Sequence, residues 1–266
     1  MSMPLVTTEI HDRVGVIILN DPDKRNAITL AMNEAITATL NDWEADDAIG
    51  AIIVTGTPPA FCAGADLKDL LAEQNQAGMQ RIYEGFLRIA HSPLPTIAAV
   101  NGAAVGAGFN LVLACDIAVA ARQNAKFDSR FLQIGLHPGG GHTWRLRSIA
   151  GRQTTLAMVL FGEVLSATQA HDLGLVWQVS EEHRLLDDCL ALATRTASQP
   201  KQLNARTKAT ILTLDTIKDS EQAVEHELHP QLQSMQQSAF RHLVENLQQS
   251  ISAIPQAHAA TECANE

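Results

Sequence analysis

Residues 96–121 read TIAAVNGAAVGAGFNLVLACDIAVAA. TIAAVNG (96–102) is a short apolar run ending in a turn pair, and CDIAVAA (115–121) is a second such run. Between them NGAAVGAGFNL (101–111) gives a glycine-rich turn and opens a strongly apolar stretch of helical length. Strand, turn, helix, strand is the unit of an α/β protein with mostly parallel strands. The neighbouring sequence repeats it. GVIIL (15–19) and AIIVTG (51–56) read as buried strands, and LGLVWQV (173–179) as a later one. DPDKRNA (21–27) is turn chemistry, after which Met32, Ile36, Leu40 and Trp43 recur at helical spacing to about Asp46. Residues 67–91 also read as helix.

After residue 181 strand signals stop. Val224, Leu228, Leu232 and Met235 form one apolar stripe, and Phe240, Leu243, Val244, Leu247 and Ile251 a second, with Pro230 expected to kink its helix. The organisation expected is an α/β core over 1–200 and a helical region over 201–266 whose apolar faces need a surface, on the same chain or another subunit. The last residues, QAHAATECANE, lack periodicity and are expected to be loose.

Bulk properties narrow the functional classes. The 266 residues carry a net charge of −10, which argues against nucleic acid or an anionic membrane as the main partner, since phosphates attract clustered Lys and Arg. A small anionic ligand needs only a local basic patch. Cys62, Cys115, Cys189 and Cys263 show no zinc or redox spacing, so a reducing, cytoplasmic setting is expected. MSMPLVTTEIHD has no basic stretch before an apolar core, and no apolar run reaches the roughly 18 residues of a membrane span.

Two loops carry the candidate chemistry: FCAGADL (61–67) and NGAAVGAGFNL (101–111), each set between a strand and a helix. Their small residues allow close backbone approach to a ligand, and each leads to a helix N-terminus with unpaired N–H groups. Converging, they would present a pair of donors to a developing oxyanion. The same sequences also suit plain βα turns.

AFCAGADLKDL, LPTIAAVNGAAVGAGFNLVLACDIAVAARQNAKF, GLHPGGGHTWRL and ATQAHDLGLVWQV follow in the order and spacing of the crotonase (enoyl-CoA hydratase/isomerase) superfamily, which the chain resembles from about residue 5 to 200 and more weakly beyond. The resemblance implies a spiral of ββα units with a C-terminal helical trimerisation region, assembled as a homotrimer or dimer of trimers. It implies binding of an acyl-CoA thioester whose oxygen is held by the N–H groups of Ala65 and Ala107. Position 107 is usually glycine in the family. The Cβ of Ala107 disfavours positive φ, so the backbone there must be helical or extended. The CoA moiety is expected along Arg25, Ala27, Ala63, Ala65, Asp66 and Leu67, with Val105, Ala107, Arg130 and Ile134 completing the acyl-CoA site. Arg25 can meet a phosphate or be an ordinary solvated turn arginine. No separate cofactor and no metal are expected, CoA being part of the substrate. The basic pair that relatives often carry near the C-terminus is missing from ENLQQSIS (245–252).

The family's hydratases are similar in using two glutamates that share one water. Those positions are Asn110 and Phe131 here. A neutral amide does not take up a proton near pH 7, and a phenyl ring cannot at all. Phe131 would instead make the acyl pocket drier. Asp128, Arg130, His137 and His142 lie nearby in sequence; His137 is the leading substitute acid or base, or else a histidine packed beside Pro138 and bonded to backbone. Tyr83 and His91 are weaker candidates, and Trp144 is expected in the core. Two readings stay open. One is an enzyme of fatty-acid metabolism, a weak or atypical hydratase, an isomerase, a hydrolase or another enolate-forming catalyst using His137 or Asp128. The other is a non-catalytic acyl-CoA binding or carrier protein.

Overall fold

The computed structural model describes residues 3–252. The chain divides into two compact units, Met1–Ala205 and Arg206–Glu266. The first contains β1 (Val6–His11), β2 (Val14–Leu19), α1 (Leu30–Ala45), β3 (Ala51–Gly56), β4 (Ala60–Cys62), α2 (Leu67–Ala72), α3 (Gln76–Ala90), β5 (Thr96–Val100), β6 (Ala103–Val105), α4 (Ala107–Ala114), β7 (Ile117–Ala121), β8 (Lys126–Asp128), α5 (His142–Leu160), β9 (Leu165–Ser166), α6 (Ala167–Asp172), β10 (Gln178–Ser180) and α7 (Leu185–Ala197).

Six strands form one sheet in the order β1-β2-β3-β5-β7-β10, and four form a second in the order β4-β6-β8-β9. Within the first, β2, β3, β5, β7 and β10 run parallel and β1 is antiparallel to β2. Within the second, β4, β6 and β8 are parallel. The chain therefore winds as a spiral. Each turn lays one strand in the large sheet (β3, β5, β7), the next in the small sheet (β4, β6, β8), and then returns through helix. The fold is α/β, as expected, and its repeating unit is ββα.

Local chemistry explains the elements. The β-branched runs of β2 and β3 are almost wholly buried, each such side chain contributing about 1.5–3 kcal/mol. Thr29 caps α1 by accepting from the Met32 N–H, and Met32, Ile36, Leu40 and Trp43 face the core as their spacing predicts. Gly15 lets α1 approach β2: a Cβ there would lie 2.4 Å from the Trp43 ring.

Several expectations are corrected. Residues 67–91 are two helices, split after Ala72, with Asn75 capping the second. The strand expected over 173–179 is only Gln178–Ser180, because the Leu175 and Val176 N–H groups both bond to Ala170 O and close the end of α6. Trp144 is 64% exposed rather than core; His142 and Leu146, four residues apart, take the buried face of α5, and Trp144 falls on the opposite side.

In the second unit α9 (Ser220–Met235) runs as one helix through Pro230, and α10 (Ser238–Ser252) follows it. α8 (Lys201–Thr213) spans the division between the units. The apolar stripes of α9 and α10, from Val224 to Met235 and from Phe240 to Ile251, are exposed on the single chain, save Val244, which is half-buried. Cys263 and QAHAATECANE lie outside the described residues. No helix of the described residues is long and apolar enough to cross a membrane.

Candidate active site

The parallel strands β4, β6 and β8 each end in a short loop on the same side, the usual place for a ligand in an α/β protein. These loops enclose a cavity of about 560 Å³, well inside the range of small-molecule sites. Of the residues singled out in the sequence, Ala27, Ala63, Ala65, Asp66, Leu67, Val105, Ala107, Asn110, Arg130, Phe131, Ile134, Tyr83 and His137 line it. Arg25 does not. It is exposed, in the left-handed region at φ 52, and only its carbonyl serves the site, accepting from the Ala63 N–H at 3.0 Å. His91 ends α3 outside the cavity lining. Lys24 and Lys68 line the cavity, with Lys24 3.4 Å from the Asp66 carboxylate. Sequence reasoning passed over both lysines, along with the apolar wall of Met79, Ile82, Phe86 and Leu136.

Two main-chain donors face no protein partner. Ile28 N–H bonds to Gly64 O (2.7 Å) and Asp66 N–H to Ile28 O (2.8 Å), bracketing Ala65 and leaving its own N–H unused. Ala107 is the first residue of α4, where no intrahelical acceptor exists. Among the described residues neither N–H has an acceptor, and both residues line the cavity. Glycines set up each loop. Gly64 adopts φ +114 and Gly106 φ +52, so the left-handed strain falls on residues without a Cβ, and Ala107 itself is helical as its side chain requires. The loops are in contact: a Cβ on Gly64 would lie 3.2 Å from Val105 O and 4.0 Å from Ala107 N.

Asn110, one turn into α4, is buried and bonded at both ends of its amide. Nδ2 donates to Gly139 O (3.1 Å), which fixes Oδ1 as the atom facing His142 Nδ1 at 2.7 Å. The loop 139–141 comes this close because a Cβ on Gly140 would meet Phe86 and the Asn110 amide. Since Oδ1 can only accept, His142 carries its proton on Nδ1 and offers an Nε2 lone pair to the Ser129 hydroxyl, 2.9 Å away. Phe131 and Phe109 flank the imidazole with ring centres 4.8 and 5.3 Å from it. This apolar burial pushes the His142 pKa down to about 4. His137 is exposed and donates from Nδ1 to Pro138 O (2.7 Å). Asp128 is buried and paired with Arg130.

The enoyl-CoA hydratase/isomerase family model matches residues 9–252. The chain belongs to this family. It is 40% identical over 244 residues to a probable enoyl-CoA hydratase, EchA14, of Mycobacterium tuberculosis, covering 88% of this chain and 94% of that protein. It is 38% identical over 205 residues to the 1,2-epoxyphenylacetyl-CoA isomerase of Escherichia coli, covering 74% and 78%. Among solved structures, an enoyl-CoA hydratase from Bacillus anthracis superposes with a TM-score of 0.87 at 26% identity, covering 92% of this chain and 96% of that one. The ββα spiral described above is thus the enoyl-CoA hydratase/isomerase fold, and the cavity at the ends of β4, β6 and β8 is its candidate active site.

Sequence reading named His142 only as one of several groups near position 131 and did not name Ser129. Asn110, Ser129 and His142 come from α4, the loop after β8 and the start of α5, so no linear spacing announces their contact.

Proposed function

We propose that this family member binds an acyl-CoA thioester in the cavity, with the thioester oxygen between the N–H groups of Ala65 and Ala107, and that it hydrates enoyl-CoA weakly. The observation that carries this reading is the pair of unpartnered main-chain donors on touching loops. Negative charge developing on a thioester oxygen is what such a pair stabilises, at about 2.7–4 kcal/mol per donor. Lys24 and Lys68 at the cavity suit the CoA phosphates, with Arg25 close by in sequence. The relatives' names carry two different reactions, hydration and isomerisation, on one substrate class.

A conjugated 2,4-dienoyl-CoA tests the donors without requiring turnover. Bound between two N–H groups, its carbonyl is polarised and its absorption moves to longer wavelength. Ala107→Pro deletes one donor at the first position of a helix, where proline is tolerated. The expected result is a red shift in the wild type and most of it lost in the variant. A wild-type spectrum of the bound ligand identical to that in water overturns the reading.

The family's glutamate positions are, on this proposal, Asn110 and Phe131. Both ends of the Asn110 amide are already bonded within the protein, which favours the second reading, an acyl-CoA binding or carrier protein. The exposed apolar stripes of α9 and α10 support a homotrimer or dimer of trimers; a sedimentation measurement giving a stable monomer overturns that assembly. Burial pushes the Cys62 and Cys189 thiols up to about 12, which suits unreactive thiols, and the absence of zinc or redox spacing among the cysteines is what suggests the reducing setting of the cytoplasm.

A further inference from the structure

We propose that Ser129 is the nucleophile of an acyl-CoA thioester hydrolase, with His142 as its base and Asn110 as the residue that positions His142. The inference rests on the acyl-CoA reading above and adds a reaction to it. Its basis is a continuous chain of three side chains, Ser129 Oγ–H to His142 Nε2 at 2.9 Å and His142 Nδ1–H to Asn110 Oδ1 at 2.7 Å. A nucleophile bonded to a base that a third group orients is the arrangement acyl transfer needs.

Hydrogen-bond satisfaction alone accounts for buried polar groups such as His142 and Asn110. Three further features distinguish this chain. It ends on the wall of the cavity, which Ser129 lines. The β6–β8 register ends with Val105 opposite Asp128, and the Gly106 N–H bonds to Asp128 O (2.9 Å), so Ser129 and the Ala107 donor each follow directly on this junction. The Asn110 amide is locked by Gly139 O in the one orientation that leaves the Nε2 lone pair toward Ser129. Nucleophile, orienting group and two oxyanion donors therefore line one cavity, with Ser129 buried in its wall and the base, His142, directly behind it.

The step balances with water as co-reactant. Ser129 Oγ attacks the thioester carbon while its proton passes to His142 Nε2. The carbonyl oxygen becomes an oxyanion between the Ala65 and Ala107 N–H groups. The C–S bond breaks, and the CoA thiolate leaves and takes the proton from the imidazolium; as a thiol of ordinary pKa about 8.5 it is a good leaving group. Water then adds to the serine ester, giving its proton to His142, and the C–O bond breaks to restore the Ser129 hydroxyl. The net reaction is acyl-CoA plus water to a carboxylic acid plus free CoA. Because burial keeps His142 neutral, the base is available at physiological pH, and the same burial makes the imidazolium costly, so turnover is slow.

Saturated acyl-CoAs, from acetyl to palmitoyl, test this on the full-length protein, since none can be hydrated or isomerised. Release of free thiol is followed colorimetrically, and acid-quenched protein is digested and weighed for an acyl group on the peptide bearing Ser129. Binding is measured separately with the matching thioether analogues, which cannot be cleaved. The expected result is thiol release from the bound chain lengths and an acyl ester on Ser129. Ser129→Ala should cut release by at least about 10³-fold. Asn110→Asp, which keeps the acceptor, retains release, and Asn110→Leu abolishes it. Should Ser129→Ala fail to fold, the wild-type adduct decides alone. Thioether binding without thiol release, or release unchanged in Ser129→Ala, overturns the hydrolase and leaves acyl-CoA binding standing. No thioether binding at any chain length overturns both.

Discussion

Crotonyl-CoA is expected to be hydrated at least about 10⁴-fold more slowly by this protein than by a family member with both glutamates, taking the lower figure of about 10² for each missing acid–base group. The geometry gives the reason. Asn110 binds Gly139 O and His142 through its amide, and the N–H and lone pair left over can hydrogen-bond a water but cannot exchange a proton with it. Phe131 places a ring against His142, at the position proposed for a hydratase's second carboxylate. Steady-state turnover at ordinary enzyme rates, about 1–10³ s⁻¹, would overturn the proposed roles of these positions. The double variant Asn110→Glu with Phe131→Glu should recover part of the rate. It also brings two carboxylates to His142, whose Nδ1–H a glutamate at 110 can still accept. A double variant that binds enoyl-CoA and stays inert would show that the missing acid–base groups are not what limits hydration.

The second large effect is on stability. His142 is 1% exposed and its pKa is pushed down from 6.5 to about 4 by burial. Above pH 6.5 the ring is neutral in both folded and unfolded chains and pH has no effect through it. Below that, the unfolded chain takes up a proton that the folded one refuses, so stability falls as pH drops toward 4 and levels off beneath it. Between pH 7 and 5 this loss is about 2 kcal/mol. Urea unfolding at the two pH values should show wild type losing about that much more than His142→Gln, in which nothing titrates at this position. An NMR titration placing the folded His142 near 6.5 would sink the prediction.

The legible and illegible parts of the fold separate by length and by burial. β2, β3, β5 and β7 are five- or six-residue runs largely buried within their sheet, and such runs read as strands from residue type alone. β1 is polar and exposed along VTTEIH, so only pairing with β2 makes it a strand. The whole small sheet consists of strands of two or three residues, too short for any period to register. That sheet nonetheless carries the site. The small-residue loops at 63–67 and 105–107 were visible because glycine and alanine mark close backbone approach. Met79, Ile82 and Phe86 look like ordinary core positions of α3, and only the fold shows that this helix walls a cavity. The Ser129–His142–Asn110 chain required three elements to be placed before it could be seen.

The two donors at the centre of the site are main-chain amides, and this governs how the protein can change over generations. A carboxylate is lost by a single codon change, whereas an N–H at positions 65 and 107 survives every substitution except proline. What has to be inherited is the pair of glycines, Gly64 and Gly106, that bend the loops into place. Descendants of one ancestor can therefore exchange their reactive side chains freely while keeping the same pair of donors. Likeness across such a lineage follows that pair, and the reaction has to be established member by member.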